Sequence, residues 1–239
     1  MKDACPAGAD SRLSFTYLVR ARGDYWRTQS HCRLPVSIGQ AYHEGDKLRA
    51  TVDWVNRHAG RPFRQCTIVL ADSLHRHNLQ GPHSWSEARA TGDSWLNRNS
   101  RSLTGLIIPH RIVRWDDLLQ HPEFPAIHAR MNHLVVTNPA FANALHVMTE
   151  DWLSRRPPNA RSAGEEFTER VQRYVLEEIS AIAVMELEIP AAICYPGGIR
   201  LLEMVRRIAF GDLGRSISWA PTTLLSFELT QLHIRRRAR

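Results

Sequence analysis

Residues 34–42 read Leu34-Pro35-Val36-Ser37-Ile38-Gly39-Gln40-Ala41-Tyr42. The apolar run that begins at Cys32 predicts a short buried strand ending at Ser37, with a sharp turn after it. A helix is expected next, from about Glu44 to His58, with Leu48, Val52 and Val55 on its buried face. Gly60-Arg61-Pro62 stops it. Cys66 to Ala71 (CTIVLA) is a continuous apolar run, as a parallel strand covered on both faces shows. Strand, helix and strand in close succession make a βαβ unit. A right-handed crossover would put Ser37 and Asp72 side by side at the carboxyl edge of the sheet, where open α/β folds place their ligands. A serine there, beside the first N–H groups of a helix, has the nucleophile and anion donors that acyl transfer needs. For a lone serine the competing role is turn or helix cap.

Outward from this unit, residues 1–12 read as a disordered lead-in and Ser14 to Arg20 as a strand. A helix is expected over Ser84 to about Asn99, and a third strand within Leu106 to Arg114, interrupted at Pro109. Asp116 and Asp117 open a short helix, and Pro139 to Arg155 forms a longer one before a linker at Arg156-Pro157-Pro158-Asn159. From about Ala163 to Met185, Phe167, Val171, Tyr174, Glu178, Ile182 and Met185 fall on one helical stripe. Glu178 thus sits in an apolar face and Glu177 is expected to point away from it. A carboxylate on a buried stripe is paired, protonated or functional, because desolvating it alone is costly. Ile189 to Cys194 is a short strand, after which Pro196 holds Tyr195 extended at its end. Gly197-Gly198 turns the chain into a helix over Ile199 to Ala209. Leu224 to Leu229 is expected as a last strand and 233–239 as a basic tail, leaving 13–232 as a single catalytic domain.

The chain has 239 residues, 43% of them hydrophobic and 23% charged, an ordinary globular composition. Its formal net charge of +7 comes almost wholly from arginine, since Lys2 and Lys47 are the only lysines. Arginine forks suit phosphates, which points to a polyanion such as RNA as partner, although coding bias also favours arginine. Four scattered cysteines without a CxxC pair fit reduced thiols in the cytoplasm. No run has the length of a membrane span. His75-Arg76-His77, His31-Cys32 and His128 with His133 match no known zinc spacing, and no metal is expected. Neither GxGxxG nor a Walker loop is present, so no phosphate cradle for a nucleotide is expected.

Three pieces occur in order: the serine turn VSIGQAY, the segment Tyr174-Val175-Leu176-Glu177-Glu178, and Cys194-Tyr195-Pro196 after an apolar strand. Together they resemble the cyclodipeptide synthases, over about His31 to Arg207. Those enzymes join the amino acids of two aminoacyl-tRNAs into a 2,5-diketopiperazine. Gln40 and Pro196 stand where one branch of the family has Asn and His, so the chain resembles the branch with a Tyr-Pro pair, the XYP type. The resemblance implies an α/β, Rossmann-like domain with a mostly parallel central sheet flanked by helices, similar to the class I tyrosyl- and tryptophanyl-tRNA synthetase catalytic domains. The synthetase signatures HIGH and KMSKS are absent, so the substrate would arrive already activated and no cofactor is implied.

Carried over, Ser37 would be the nucleophile that takes the first aminoacyl group. Tyr174 and Glu178 would hold its α-ammonium, with Glu178 also accepting a proton from the attacking amine. Reaction with the second aminoacyl-tRNA gives a dipeptidyl enzyme, and Tyr195 would relay protons as the ring closes. Donors around Gly39, next to Gln40, would stabilise the oxyanions. Strand alternation puts Arg33 and Pro35 on the face of Ser37. The resemblance sets that face, with Val69, Trp115, Ala181, Ile193 and Pro196, around the substrate. Arg33 there suggests a Glu or Asp residue in the product, unless it points to solvent or tRNA. Arg89, Arg98 and Arg101 on one helix, with Arg206 and Arg207, are the expected tRNA contacts. The enzyme is expected to be a cytoplasmic monomer. The alternative is a non-catalytic tRNA- or RNA-binding protein on a degenerate synthetase-like domain. A serine hydrolase finds no support, because GxSxG is absent.

Overall fold

The computed structural model describes residues 17–79, 84–154, 164–216 and 228–236. Its central sheet contains β1 (Tyr17–Arg22), β2 (His31–Ser37), β3 (Gln65–Ala71), β4 (His110–Arg114), β5 (Ala192–Tyr195) and β6 (Thr230–Arg236), in the order β1-β6-β5-β2-β3-β4. β2, β3, β4, β5 and β6 pair in parallel, and β1 lies antiparallel on β6. The strand order reverses between β2 and β5. In a Rossmann-like sheet that reversal opens a crevice at the carboxyl ends of the two strands. Ser37 ends β2 and Tyr195 ends β5, so both stand at its mouth.

Helices cover both faces. α1 (Gly45–Arg57) and α2 (Ser84–Leu103) pack on one face, where Leu34 and Val36 meet Leu48, Val52, Val55 and Trp95. α3 (Trp115–Leu119), α4 (Phe124–Thr137), α5 (Pro139–Ser154), α6 (Gly164–Glu188) and α7 (Arg200–Ser216) pack on the other, against Val69, Ala71 and Ile193. This double burial explains why β2 and β3 read as near-continuous apolar runs rather than alternating ones. Cys32, Cys66 and Cys194 occupy neighbouring strands as buried free thiols.

Four expectations change. α4 was not expected from the sequence. The third strand starts only after Pro109, at His110. Residues 224–227 of the expected last strand lie outside the described residues, 228 and 229 are not in a strand, and a strand runs over Thr230–Arg236, so residues 233–236 of the expected tail are its second half. Glu177 does not face away from the core: it is 7% exposed. The lead-in at 1–12 and the linker at 156–159 lie outside the described residues. No helix among the described residues is long and apolar enough to cross a membrane.

Candidate active site

β2 delivers Ser37, after which Gly39 turns the chain with φ +81, a value that L side chains rarely take. A 3₁₀ turn over Ala41–His43 then leads into α1. Tyr42 and Tyr195 converge on the serine. The Ser37 Oγ lies 2.9 Å from the Tyr195 hydroxyl, and that hydroxyl lies 2.9 Å from the Tyr42 hydroxyl. Three hydroxyls thus form one chain, along which a proton can pass by exchange of donor and acceptor roles. Burial pushes the Tyr195 phenol well up, Tyr42 adds to the shift, and the hydrogen bond from Ser37 opposes it. Tyr195 therefore stays neutral.

Tyr174 and Glu178 stand one turn apart on α6, and both retain some exposure. Burial pushes the Glu178 carboxyl up to about 7. Burial also raises Tyr174, and the nearby Glu178, Tyr195 and Tyr42 raise it further. Glu178 carries no hydrogen bond among the described residues. Its neighbour Glu177 is fully engaged. Arg76 grips Glu177 with both guanidinium nitrogens, the His77 ring lies 3.1 Å from it, and the Trp115 Nε1–H donates to it at 2.8 Å. Burial works to raise Glu177, but the hydrogen bonds from His77 and Arg76 outweigh it and hold the group at about 2. Two adjacent carboxylates are thus driven apart, one a fixed anion and one poised near neutrality.

Several expected residues do other work. Arg33 is 2% exposed and binds Glu186 at 2.5 Å. It also donates to the Met185 and Ile189 carbonyls at 2.8 and 2.9 Å. Buried and spent on these internal partners, it does not point to solvent or tRNA and offers no free charge to an acidic side chain, which corrects both readings of it. Asp72 is buried against Arg114 and lies beyond Ala71, the register partner of Ser37. Arg89 pairs with Asp116 and Arg98 with Glu44, while Arg101 is exposed. Arg206 is 3% exposed, bound to Glu203 and packed on Phe210, so it is not a surface contact. Arg207 is exposed and also bonds Glu203. Val69, Trp115, Ala181 and Ile193 are buried in the α3–α7 layer. Pro35 and Pro196 are partly buried, and Gly39 and Gln40 lie exposed at the mouth. Among the described residues no group of three or more His, Cys, Asp or Glu could hold a metal.

A different basic surface appears instead. Across the β1–β6 ribbon, Leu18 faces Arg235, Arg20 faces His233 and Arg22 faces Gln231. Gln231 is also the register partner of Tyr195, so this face continues the side of the sheet that carries Ser37 and Tyr195. Arg20, Arg22 and Arg235 are exposed there.

His43, Tyr42, Glu177 and Gly197 escaped the sequence reading. The Ser37 N–H donates to Nδ1 of His43 at 2.9 Å. A β-carbon at Gly197 would lie 2.8 Å from the Tyr42 hydroxyl and closer still to the Tyr195 ring. A tyrosine five residues past the serine was visible in the sequence, but nothing in one dimension tied it to Tyr195.

A family model described as cyclodipeptide synthase matches residues 20–211. A solved CDPS from Fluoribacter dumoffii is 27% identical, with TM-score 0.78 over 93% of this chain and all of the other. A cyclodipeptide synthase from Candidatus Glomeribacter gigasporarum, solved bound to Phe-tRNAPhe, is 18% identical with TM-score 0.65, covering 87% of this chain and 89% of its own. The Mycobacterium tuberculosis protein Rv2275, described as relating cyclodipeptide synthetases to type I tRNA synthetases, is 14% identical with TM-score 0.59. That alignment covers 96% of this chain and 99% of the other. At these lower identities the last two bear on the fold alone, and the fold agrees with the Rossmann-like sheet. No curated protein matches.

Proposed function

The chain belongs to the cyclodipeptide synthase family, and from that premise we propose that it joins the amino acids of two aminoacyl-tRNAs into a diketopiperazine through an acyl-enzyme on Ser37. The observation that carries this reading is the 2.9 Å contact between Ser37 Oγ and the Tyr195 hydroxyl at the reversal of strand order. The Ser37 Oγ attacks the ester carbonyl of the first aminoacyl-tRNA. The bond to the terminal ribose oxygen breaks, and the serine proton reaches that oxygen through the Tyr195 and Tyr42 hydroxyls. One ester replaces another, so the activation is retained and the reaction needs no further energy source.

Glu178 and the Tyr174 hydroxyl hold the α-ammonium of the seryl ester. An amine must be neutral to attack, and a carboxylate poised near 7 can take its proton. The freed amine attacks the ester of the second aminoacyl-tRNA. An amide forms, and the second ribose oxygen leaves with a proton. The amine of the second residue then attacks the Ser37 ester, the ring closes, and Oγ recovers a proton through Tyr195. Backbone donors of the Ile38–Gly39 turn face the oxyanions. Ser37's own N–H is not among them, because His43 holds it.

With Arg33 closed off by Glu186, an acidic first side chain has no cation to meet at that position. The walls that family resemblance leaves, Val69, Trp115, Ala181 and Ile193, suit an apolar one. The Tyr195-Pro196 pair and Gln40 keep the chain with the XYP-type branch. The tRNA phosphates lie along Arg20, Arg22 and Arg235 of the β1–β6 ribbon, on the same side of the sheet as Ser37. Charged tRNA as substrate places the work in the cytoplasm.

The test is mass spectrometry of culture medium from a bacterial host expressing the protein, beside the same host expressing Ser37→Ala. A diketopiperazine mass is expected with the first and absent with the second. An equal mass from the variant would remove Ser37 from the chemistry. If purified protein supplied with aminoacyl-tRNAs forms no product, the RNA-binding alternative stands.

A further inference from the structure

His43 lies under the hydroxyl chain. Its ring packs edge-on against Tyr42 at 4.7 Å and Tyr195 at 5.5 Å between centroids. Its backbone is held from two sides. The Trp95 Nε1–H donates to its carbonyl at 3.0 Å, and its own N–H donates to the Gln40 carbonyl at 2.9 Å. The ring is 3% exposed. Nδ1 lies 2.9 Å from the Ser37 N–H and 3.2 Å from the Ser37 carbonyl oxygen, so whichever tautomer the ring takes, this nitrogen holds the backbone of Ser37. The other ring nitrogen, Nε2, is buried without a hydrogen-bond partner. Leaving a buried polar nitrogen unpaired is costly. A phenylalanine would pack the same way without that cost, so packing alone does not account for the imidazole.

We propose that His43 is the positioning residue of the nucleophile: its Nδ1 fixes the backbone of Ser37 so that Oγ points at Tyr195, while its ring spaces the two tyrosines of the relay. The inference rests on the reading of Ser37 as the acylated residue. His43 touches neither substrate nor the reacting atoms and acts through Ser37, Tyr42 and Tyr195. A misaimed nucleophile loses rate rather than affinity, because the aminoacyl-tRNA still finds its binding surface.

The experiment is single-turnover transfer of a labelled aminoacyl group from its tRNA to the full-length enzyme, for wild type, His43→Phe and His43→Asn. Phenylalanine keeps the edge-on packing and removes the acceptor. Asparagine places its Oδ1 near the site of Nδ1. His43→Phe is expected to slow acylation about 30-fold, with the KM for aminoacyl-tRNA unchanged within about twofold. His43→Asn is expected to recover most of the rate. A Phe variant as fast as wild type overturns the proposal. So does an Asn variant as slow as Phe, because packing alone would then explain the loss. If the Phe variant melts below the assay temperature, the Asn variant decides: a near-native rate supports the proposal, and a native-like melt with about tenfold lost rate overturns it. A wild-type chain that makes no seryl ester while Ser37→Ala still yields product removes the premise, a result distinct from either variant outcome.

Discussion

Gly197 shows how little space the relay leaves. Gly197→Ala would drive a methyl group into the Tyr195 ring and the Tyr42 hydroxyl. Product yield is expected to fall by roughly one to two orders of magnitude, with a melting temperature close to wild type, measured by product mass and by thermal melt. Glu178 sets a second test. Its carboxyl sits near 7 and must be ionised to accept the ammonium proton. The kcat/KM of wild type should therefore rise with pH through about 7, and Glu178→Gln should lose both the rate and that rise. Ser37, Tyr174, Glu178 and Tyr195 were legible because each lies in a local pattern: a strand end, a helical stripe, a Tyr-Pro pair. Arg33 was misread for the opposite reason. Strand alternation gave its face correctly, but the Glu186 that closes it off comes from the far end of α6. His43 was illegible because only the folded turn brings its ring back under Ser37.

α6 was expected as a helix with one buried stripe, and Glu178 on that stripe is where the sequence reading put it. The helix packs against α4, α5, α7 and the turn after β3, so more than one of its faces is covered. That is why Glu177, off the stripe, is buried as well. Its contacts with Arg76, His77 and Trp115 tie α6, the helix that carries Glu178, to the 3₁₀ turn after β3 and to α3. Glu177→Ala leaves the Arg76 charge without its partner. It is expected to cost about 3–5 kcal/mol in a urea unfolding titration, and removing Arg76 as well should return part of that loss. β6 was in part read as a tail for a related reason. TQLHIRR alternates, and its outward arginines resemble a solvated tail. Pairing with β1 and β5 decides the matter, and a single chain does not display its partners.

At the scale of the whole molecule, buried histidines and glutamates set the acid response with known signs. Burial holds His43 down to about 4; burial also holds His31 at about 4, with Arg33 and Arg111 adding to the shift. The unfolded chain takes up these protons from about 6.5 downward. The stability both histidines confer is complete above 6.5 and is lost between 6.5 and 4. Glu177, held at about 2, loses its share below its ordinary 4.5. Glu178 and Glu186, each raised by burial to about 7, have the opposite sign: their contribution is present below 4.5 and gone above 7. Two histidines and two glutamates shifted by similar amounts nearly offset one another between 6.5 and 4.5. The urea midpoint should change little from pH 6.5 to 4.5 and fall below that, where Glu177 takes up its proton. Glu178→Gln should turn the level part into a decline. For RNA, product formation should weaken with salt at a log–log slope near −0.7 per phosphate contacted on single-stranded RNA, and alanines at Arg20, Arg22 and Arg235 should flatten it by two to three contacts' worth.

Among the described residues the sheet ends on β1 at one side and β4 at the other, and both strands bear arginines: Arg20 and Arg22 on the first, Arg111 and Arg114 on the second. An uncovered strand edge invites a second copy to add its own strands. Here docking of β1 on β1 brings like charges together, so that edge carries its own guard against fibre growth, whereas Arg111 and Arg114 of β4 are already paired with Glu188 and with Asp72 and Asp93. Like-charge guards are ionic-strength devices. Near 1 M salt, charges more than about 3 Å apart no longer see each other. A buffer concentrated enough to strip bound RNA from the β1–β6 ribbon therefore also disarms the β1 edge. Light scattering of the purified protein is expected to rise with salt rather than fall, and the solution keeps best dilute in salt, with its nucleic acid removed by other means.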